Sequence, residues 1–163
     1  MFKIGDKIVY PNQGVGIVDD IEEKEFNGEL RTYYKIHLLY NPMTLMLPIS
    51  KVESSNIRLV SDFKIIESTL NNLNKIMIRG EQLQKFDFKE RKEMNLSKVK
   101  SGTLVDCLQV ICNLTELKSQ QVLNSTDRQM LRSTKKILID EISESKNLQN
   151  VDAADMLESF INI

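Results

Sequence analysis

The sequence predicts an α+β chain, a small N-terminal β-barrel followed by an all-α bundle. Two observations carry this reading. The hydrophobic pattern changes near Ser61 from short, turn-punctuated runs to steps of three and four residues. All three prolines precede that change, and beyond it glycine persists only as Gly80 and Gly102.

Before Ser61, five runs read as strands: Lys7 to Tyr10, Val15 to Ile21, Arg31 to Leu39, Thr44 to Leu47 and Ile57 to Val60. Pro11-Asn12-Gln13-Gly14, Asn27-Gly28, Asn41-Pro42 and Pro48 mark the turns. Tyr34, Ile36 and Leu38 alternate with Lys35 and His37, the period of a half-buried strand. A sheet this short buries enough surface only by curling on itself, hence the barrel. Gly14 and Gly16 suit a sharp strand start that approaches its neighbour closely.

After Ser61, Phe63, Ile66, Leu70, Leu73 and Met77 predict an amphipathic helix ending at Gly80. A second helix starts at Asp87, where Asp87 and Glu90 can form a capping box, and ends before Gly102. The next run, Leu104 to Leu117, is apolar almost all round and reads as the buried centre of the bundle. Asn124 to Asp127 offers N-caps for a fourth helix through about Ser145, with Leu131, Leu138 and Ile142 on one face. A short last helix carries Met156, Leu157, Phe160 and Ile161.

With 163 residues, 41% hydrophobic and 28% charged, the chain matches a folded globular protein. No apolar stretch approaches the roughly 18 to 20 residues of a membrane span, and the N-terminus has no apolar signal region, so a cytoplasmic location without membrane contact is expected. Cys107 and Cys112, five apart in an apolar run, read as buried thiols rather than zinc ligands or disulfide partners. His37 is the lone histidine, and its strand setting favours a satisfied structural role over catalysis. No phosphate-loop, dinucleotide, zinc-hydrolase or nucleophile-elbow motif occurs, so neither an enzyme nor a cofactor is expected.

Net charge is only −1, yet it is unevenly spread. Between residues 75 and 100, eight basic residues (Lys75, Arg79, Lys85, Lys89, Arg91, Lys92, Lys98, Lys100) face four acids, Glu81, Asp87, Glu90 and Glu93. From Asp140 onward the balance inverts: six acids, Asp140, Glu141, Glu144, Asp152, Asp155 and Glu158, against Lys146. The asymmetry fits a nucleic-acid face at one end of the helical part, or simply a solvated helix surface.

The opening Met1-Phe2-Lys3-Ile4-Gly5-Asp6-Lys7-Ile8-Val9-Tyr10-Pro11-Asn12-Gln13-Gly14-Val15-Gly16, followed by Ile17 to Glu22 and by Leu45-Met46-Leu47-Pro48, resembles the CarD/CdnL family of bacterial transcription regulators. The first sixty residues are also similar to the RNA-polymerase-interacting domain of the transcription-repair coupling factor, a Tudor/SH3-like barrel. Arg91-Lys92, Asn95-Leu96, Ser101-Gly102, Gln129-Met130-Leu131 and Ile137-Leu138 extend the resemblance along the helical part. The resemblance implies residues 1–60 as a polymerase-interacting domain and 61–163 as a helical DNA-contacting domain. It implies docking on the RNA polymerase β subunit by strand pairing, and contact with promoter DNA near the upstream edge of the melted region, stabilising the open complex. A monomer, located in the bacterial cytoplasm in association with the nucleoid, is expected.

The candidate polymerase contacts are Lys24, Thr44 and Met46. Period-2 geometry turns Thr44 and Met46 outward if Leu45 and Leu47 face the core. An outward Met46, where relatives often have arginine, is a contact residue or a scattered surface apolar. The candidate DNA contacts are Phe88, Lys89, Arg91, Lys92 and Arg128. Many relatives place a wedging tryptophan where this chain, which has no Trp, has Phe88. At 100° per residue Phe88 projects within about 20° of Val99 and about 40° of Lys92, so periodicity alone allows either a core ring or an exposed wedge. Glu90 and Glu93 stand where relatives more often have basic or neutral residues, which implies fewer phosphate contacts near the wedge. Arg128 holds a phosphate or lies in solvent. No helix presents the residue set that reads the major groove, so sequence-independent DNA binding is expected. A competing reading is a protein-interaction adaptor with a partner-binding barrel and a dimerising helical domain, without DNA contact.

Overall fold

Five strands, β1 (Lys7–Tyr10), β2 (Gly14–Phe26), β3 (Glu29–Leu38), β4 (Thr44–Pro48) and β5 (Arg58–Leu59), form one antiparallel sheet of order β4-β3-β2-β1-β5. They come from a computed structural model that describes residues 1–78 and 80–161, the side chains at positions 80 and 81 excepted. Alternation puts Tyr34, Ile36 and Leu38 into a core with Ile8, Val18, Leu47 and Ile57. The Tyr34 hydroxyl accepts a hydrogen bond from the Phe2 N–H at 3.0 Å and its ring meets Phe2 edge-on, tying the N-terminal residues to this core. His37 lies on the exposed outer face rather than serving as a structural histidine within the fold. A Cβ at Gly16 would come within 2.9 Å of the His37 carbonyl, which is the close strand approach the sequence predicts.

The sheet curls around one core as expected of a small barrel and leaves one seam open. β4 and β5 both border the core, through Leu47 and the adjoining Ile57, but do not pair with each other, so the sheet is bent rather than closed. β2 also runs on to Phe26, beyond the expected Ile21. Its outer half pairs only with β3 through the Asn27-Gly28 turn and faces solvent on both sides, so no buried period marks it. An irregularity between Val18 and Asp20 separates this overhang from the core half.

Among the described residues seven helices follow: α1 (Phe63–Asn71), α2 (Leu73–Ile76), α3 (Gly80–Leu83), α4 (Phe88–Ser101), α5 (Leu104–Gln120), α6 (Ser125–Lys146) and α7 (Asn150–Ile161). The helix expected from Phe63 to Gly80 is interrupted at Asn72, whose side-chain amide donates to the Ser68 carbonyl at 2.7 Å and competes with the helical ladder. Leu73 nevertheless stays buried and Met77 packs on the core, so the apolar period outlasts the break. Arg79 lies outside the described residues, and α3 is an element the sequence does not announce. α5 is the expected buried centre, with Leu104, Leu108, Val110, Ile111, Cys112, Leu114 and Leu117 all enclosed. Burial pushes the Cys107 and Cys112 thiols up to about 11, so both are neutral at pH 7.

The junction at Ser61-Asp62 is stitched by polar contacts between sheet and bundle. Glu141 of α6 is 1% exposed and accepts both terminal nitrogens of Arg58, at 2.6 and 2.8 Å, and the Ser61 N–H at 2.9 Å. The Arg58 Nε donates to the Gly102 carbonyl at 2.7 Å, and the Ser145 hydroxyl donates to the Ser61 carbonyl at 2.6 Å. One turn along α6, Glu144 takes Lys7 at 2.7 Å and the Tyr40 hydroxyl at 2.7 Å. Burial alone would raise the Glu144 carboxyl, but these two partners outweigh it and hold the group below its ordinary value. Beneath the polar contacts, Val9 is buried on the side of β1 opposite Ile8, bordering a small cavity with Cys107 and Ile137. Four of the six C-terminal acids thus serve structure: Asp140 pairs with Lys136, Glu158 pairs with Lys135 across α6 and α7, and Glu141 and Glu144 hold the sheet.

Glu141→Ala strands a mostly buried guanidinium and is expected to cost about 3–5 kcal/mol in urea unfolding of the full chain. Arg58→Met together with Glu141→Leu should recover most of that loss, because no lone charge remains. Gly102 caps α4 against β1 at φ +66, and a Cβ added there would meet the Pro11 ring at only 2.4 Å. Gly102→Ala is expected to lower the unfolding free energy in the same urea titration by at least the roughly 1–2 kcal/mol of a left-handed non-glycine residue.

Candidate protein-docking and nucleic-acid surfaces

Lys24, Thr44 and Met46 all project from the outer face of the sheet. The cross-strand rows are Lys24 with Arg31, Glu22 with Tyr33 and Pro48, Asp20 with Lys35 and Met46, and His37 with Thr44. Lys24 therefore lies two rows, roughly 13 Å, along the strands from Met46, on the overhang rather than at the β4 edge. Between them Glu22 accepts Lys24 at 3.2 Å and Lys35 at 3.3 Å. The hydrogen bond from Lys24, then that from Lys35, holds the Glu22 carboxyl below its usual value.

β4 is one end of the sheet, and its outer edge carries backbone groups with no strand beside them among the described residues. The Leu38 N–H bonds the Met43 carbonyl at 3.0 Å, so this pair carries ladder bonds. Pairs alternate along an antiparallel ladder, which points the N–H and C=O of Leu45 and Leu47 at β3 and those of Thr44 and Met46 outward. Pro48 also points outward but has no N–H to offer. Leu47 is buried and Met46 is 36% exposed, as the alternation predicts.

The helical candidates collect at one end of an antiparallel pair. Lys98 near the end of α4 meets Gln109 and Asp106 near the start of α5, and Gln84 just before α4 donates to Gln120 at the end of α5 at 2.8 Å. The first turn of α4, the last turn of α5 and the start of α6 therefore share one end. Phe88 is 47% exposed, and Lys89 and Arg128 are exposed. Arg128 borders an open groove with Lys118 and Val122, residues that sequence reasoning did not single out. Lys92 is half-buried.

Two charged residues differ from their expected setting. Arg91 donates its Nη1 to the Phe86 carbonyl at 2.6 Å and its Nε is buried without a partner, so only part of the guanidinium is left for a phosphate. Glu90 is not a free acid beside the candidate wedge: its side chain accepts the Asp87 N–H at 2.9 Å while Asp87 accepts the Glu90 N–H at 2.8 Å, the predicted capping box. The basic run narrows as well, since Lys98 is engaged by Asp106 and Gln109.

The sequences of known proteins place the chain among transcription regulators. Residues 2–61 match the family model of the CarD-like/TRCF RID domain and residues 72–158 that of the CarD C-terminal domain. The chain belongs to the CarD family of transcription factors, a family of regulators rather than of enzymes. It is 38% identical over 148 residues to the "Putative transcription factor YdeB" of Bacillus subtilis (strain 168), covering 91% of this chain and 94% of that one. The solved structure of CdnLNt from Myxococcus xanthus is 49% identical over 32% of this chain and 75% of its own, with a TM-score of 0.30. Among the described residues no helix is long and apolar enough to cross a membrane.

The exposure of Phe88 separates the two roles its periodicity allows. Phe88→Ala is expected to change the unfolding free energy by no more than about 0.5 kcal/mol. A buried phenylalanine would cost about 3–5 kcal/mol in the same urea titration.

Proposed function

We propose that the chain bridges RNA polymerase and promoter DNA and stabilises the open complex. In this reading residues 1–60 dock on the β subunit and residues 61–163 touch DNA at the upstream edge of the melted region. The observation that carries it is the β4 edge: Thr44 and Met46 present backbone and side chain outward on a sheet bolted to the bundle that exposes Phe88. A partner strand laid on β4 exchanges main-chain hydrogen bonds, while Met46 and, further along the outer face, Lys24 discriminate the partner. On the DNA side Lys89, Lys92, Arg128 and the free part of Arg91 hold phosphates, and Phe88 wedges at a distorted base step. Such contacts confer affinity without sequence readout. The protein works as a monomer in the bacterial cytoplasm, associated with the nucleoid.

Met46→Pro tests the docking edge, because it removes an outward N–H without touching a bond to β3. Affinity for the isolated β subunit is expected to fall at least tenfold while the unfolding midpoint of the full chain stays near wild type. Unchanged affinity would remove β4 from the interface. On the DNA side, Lys92→Ala and Arg128→Ala should each reduce the slope of log affinity against log salt by about 1, equally for unrelated duplexes. A salt-independent interaction would instead favour an apolar adaptor.

A further inference from the structure

We propose that Phe86 is a second DNA-contacting ring, acting with Phe88 as a two-ring wedge, and that Arg91 is the positioning residue that presents it. The inference rests on the DNA-contacting reading above and adds a residue outside the contact set assigned there. Phe86 is 36% exposed and Phe88 47% exposed, on either side of Asp87. Their backbone is not loose. The Phe86 N–H donates to the Leu83 carbonyl at 3.3 Å, the Phe86 carbonyl accepts Arg91 at 2.6 Å, and the Asp87–Glu90 box fixes the next residues.

The charge around the rings selects the occupant. Lys85 and Lys89 are exposed immediately beside the two aromatics, whereas the nearby acids Asp87 and Glu90 are turned onto backbone N–H groups. Two held rings flanked by exposed ammonium groups suit a polyanion with stackable faces, which is a nucleic acid with unpaired bases. One benzene ring covers less of a base than an indole does, and a second ring two residues away restores the lost contact area. Arg91 contributes by holding the turn: with Nη1 on the Phe86 carbonyl and Nε buried, its work is directed inward.

The test uses the full chain and two fluorescent DNAs of one sequence, a fully paired duplex and the same duplex with one end unpaired as a fork. The wild type is expected to prefer the fork, and Phe86→Ala to reduce that preference about tenfold, as Phe88→Ala does. Phe86→Leu, which keeps apolar bulk but cannot stack, should lose most of the preference and controls for damage to the turn. Arg91→Ala should lose most of the fork preference, a loss that Lys92→Ala, which removes a phosphate contact and leaves the turn intact, does not share. If Phe88→Ala abolishes the preference and Phe86→Ala leaves it intact, the second ring is refuted and the single wedge stands. If Arg91→Ala keeps the fork preference and only lowers the salt slope, Arg91 is a phosphate contact alone and its positioning role is refuted. A wild type that binds neither DNA overturns this inference together with the reading on which it rests.

Discussion

The bidentate pair between Arg58 and Glu141 is the contact on which the relation of sheet to bundle depends. Glu141 is almost wholly enclosed, so its charge is tolerable only because two guanidinium nitrogens and the Ser61 N–H saturate its oxygens. Arg58 in turn reaches the Gly102 carbonyl where α4 ends, so a single side chain joins β5, the α4–α5 turn and α6. Such a pair adds little net stability over an apolar substitute, but it demands one geometry. The direction in which the helical part leaves the sheet is thereby set by hydrogen-bond angles rather than by a linker.

That constraint reinterprets the charge distribution. Read along the chain, the acids after Asp140 look like the counterweight of a basic nucleic-acid face. In space Glu141 and Glu144 are the sheet's partners and Asp140 is occupied by Lys136 and Asn150. The basic run is likewise divided between structural work at Lys98 and exposed positions at Lys85 and Lys89. A linear count of charges therefore overstates both poles.

The strands of the core, the capping box at Asp87 and the buried α5 were legible because each rests on local chemistry: turn residues, a three-residue cap spacing, an all-round apolar run. What was not legible depends on distance or on competition. Arg58 and Glu141 are 83 residues apart, and no sequence window contains both. The break at Asn72 hinges on a side-chain amide choosing the Ser68 carbonyl, while the apolar period continues through it. The β2–β3 overhang buries neither face and leaves no period to read. At the candidate site, Met46 and Phe88 followed from alternation and from resemblance. Phe86 was missed although a second aromatic between a lysine and a helix cap was there to be read.

The stunted edges of the sheet have a consequence for association of the chain with itself. A row of free backbone groups invites the addition of strand upon strand, the route to cross-β growth. Here β4 offers only the N–H groups of Thr44 and Met46 before Pro48 ends the series, and β5, at the other end, is two residues long. Along the overhang the outward-pointing positions of β2 are Ile21, Glu23 and Glu25, where a second copy would bring like charges together. The sheet can accept one short strand of the right kind, yet its own copies gain little at these edges.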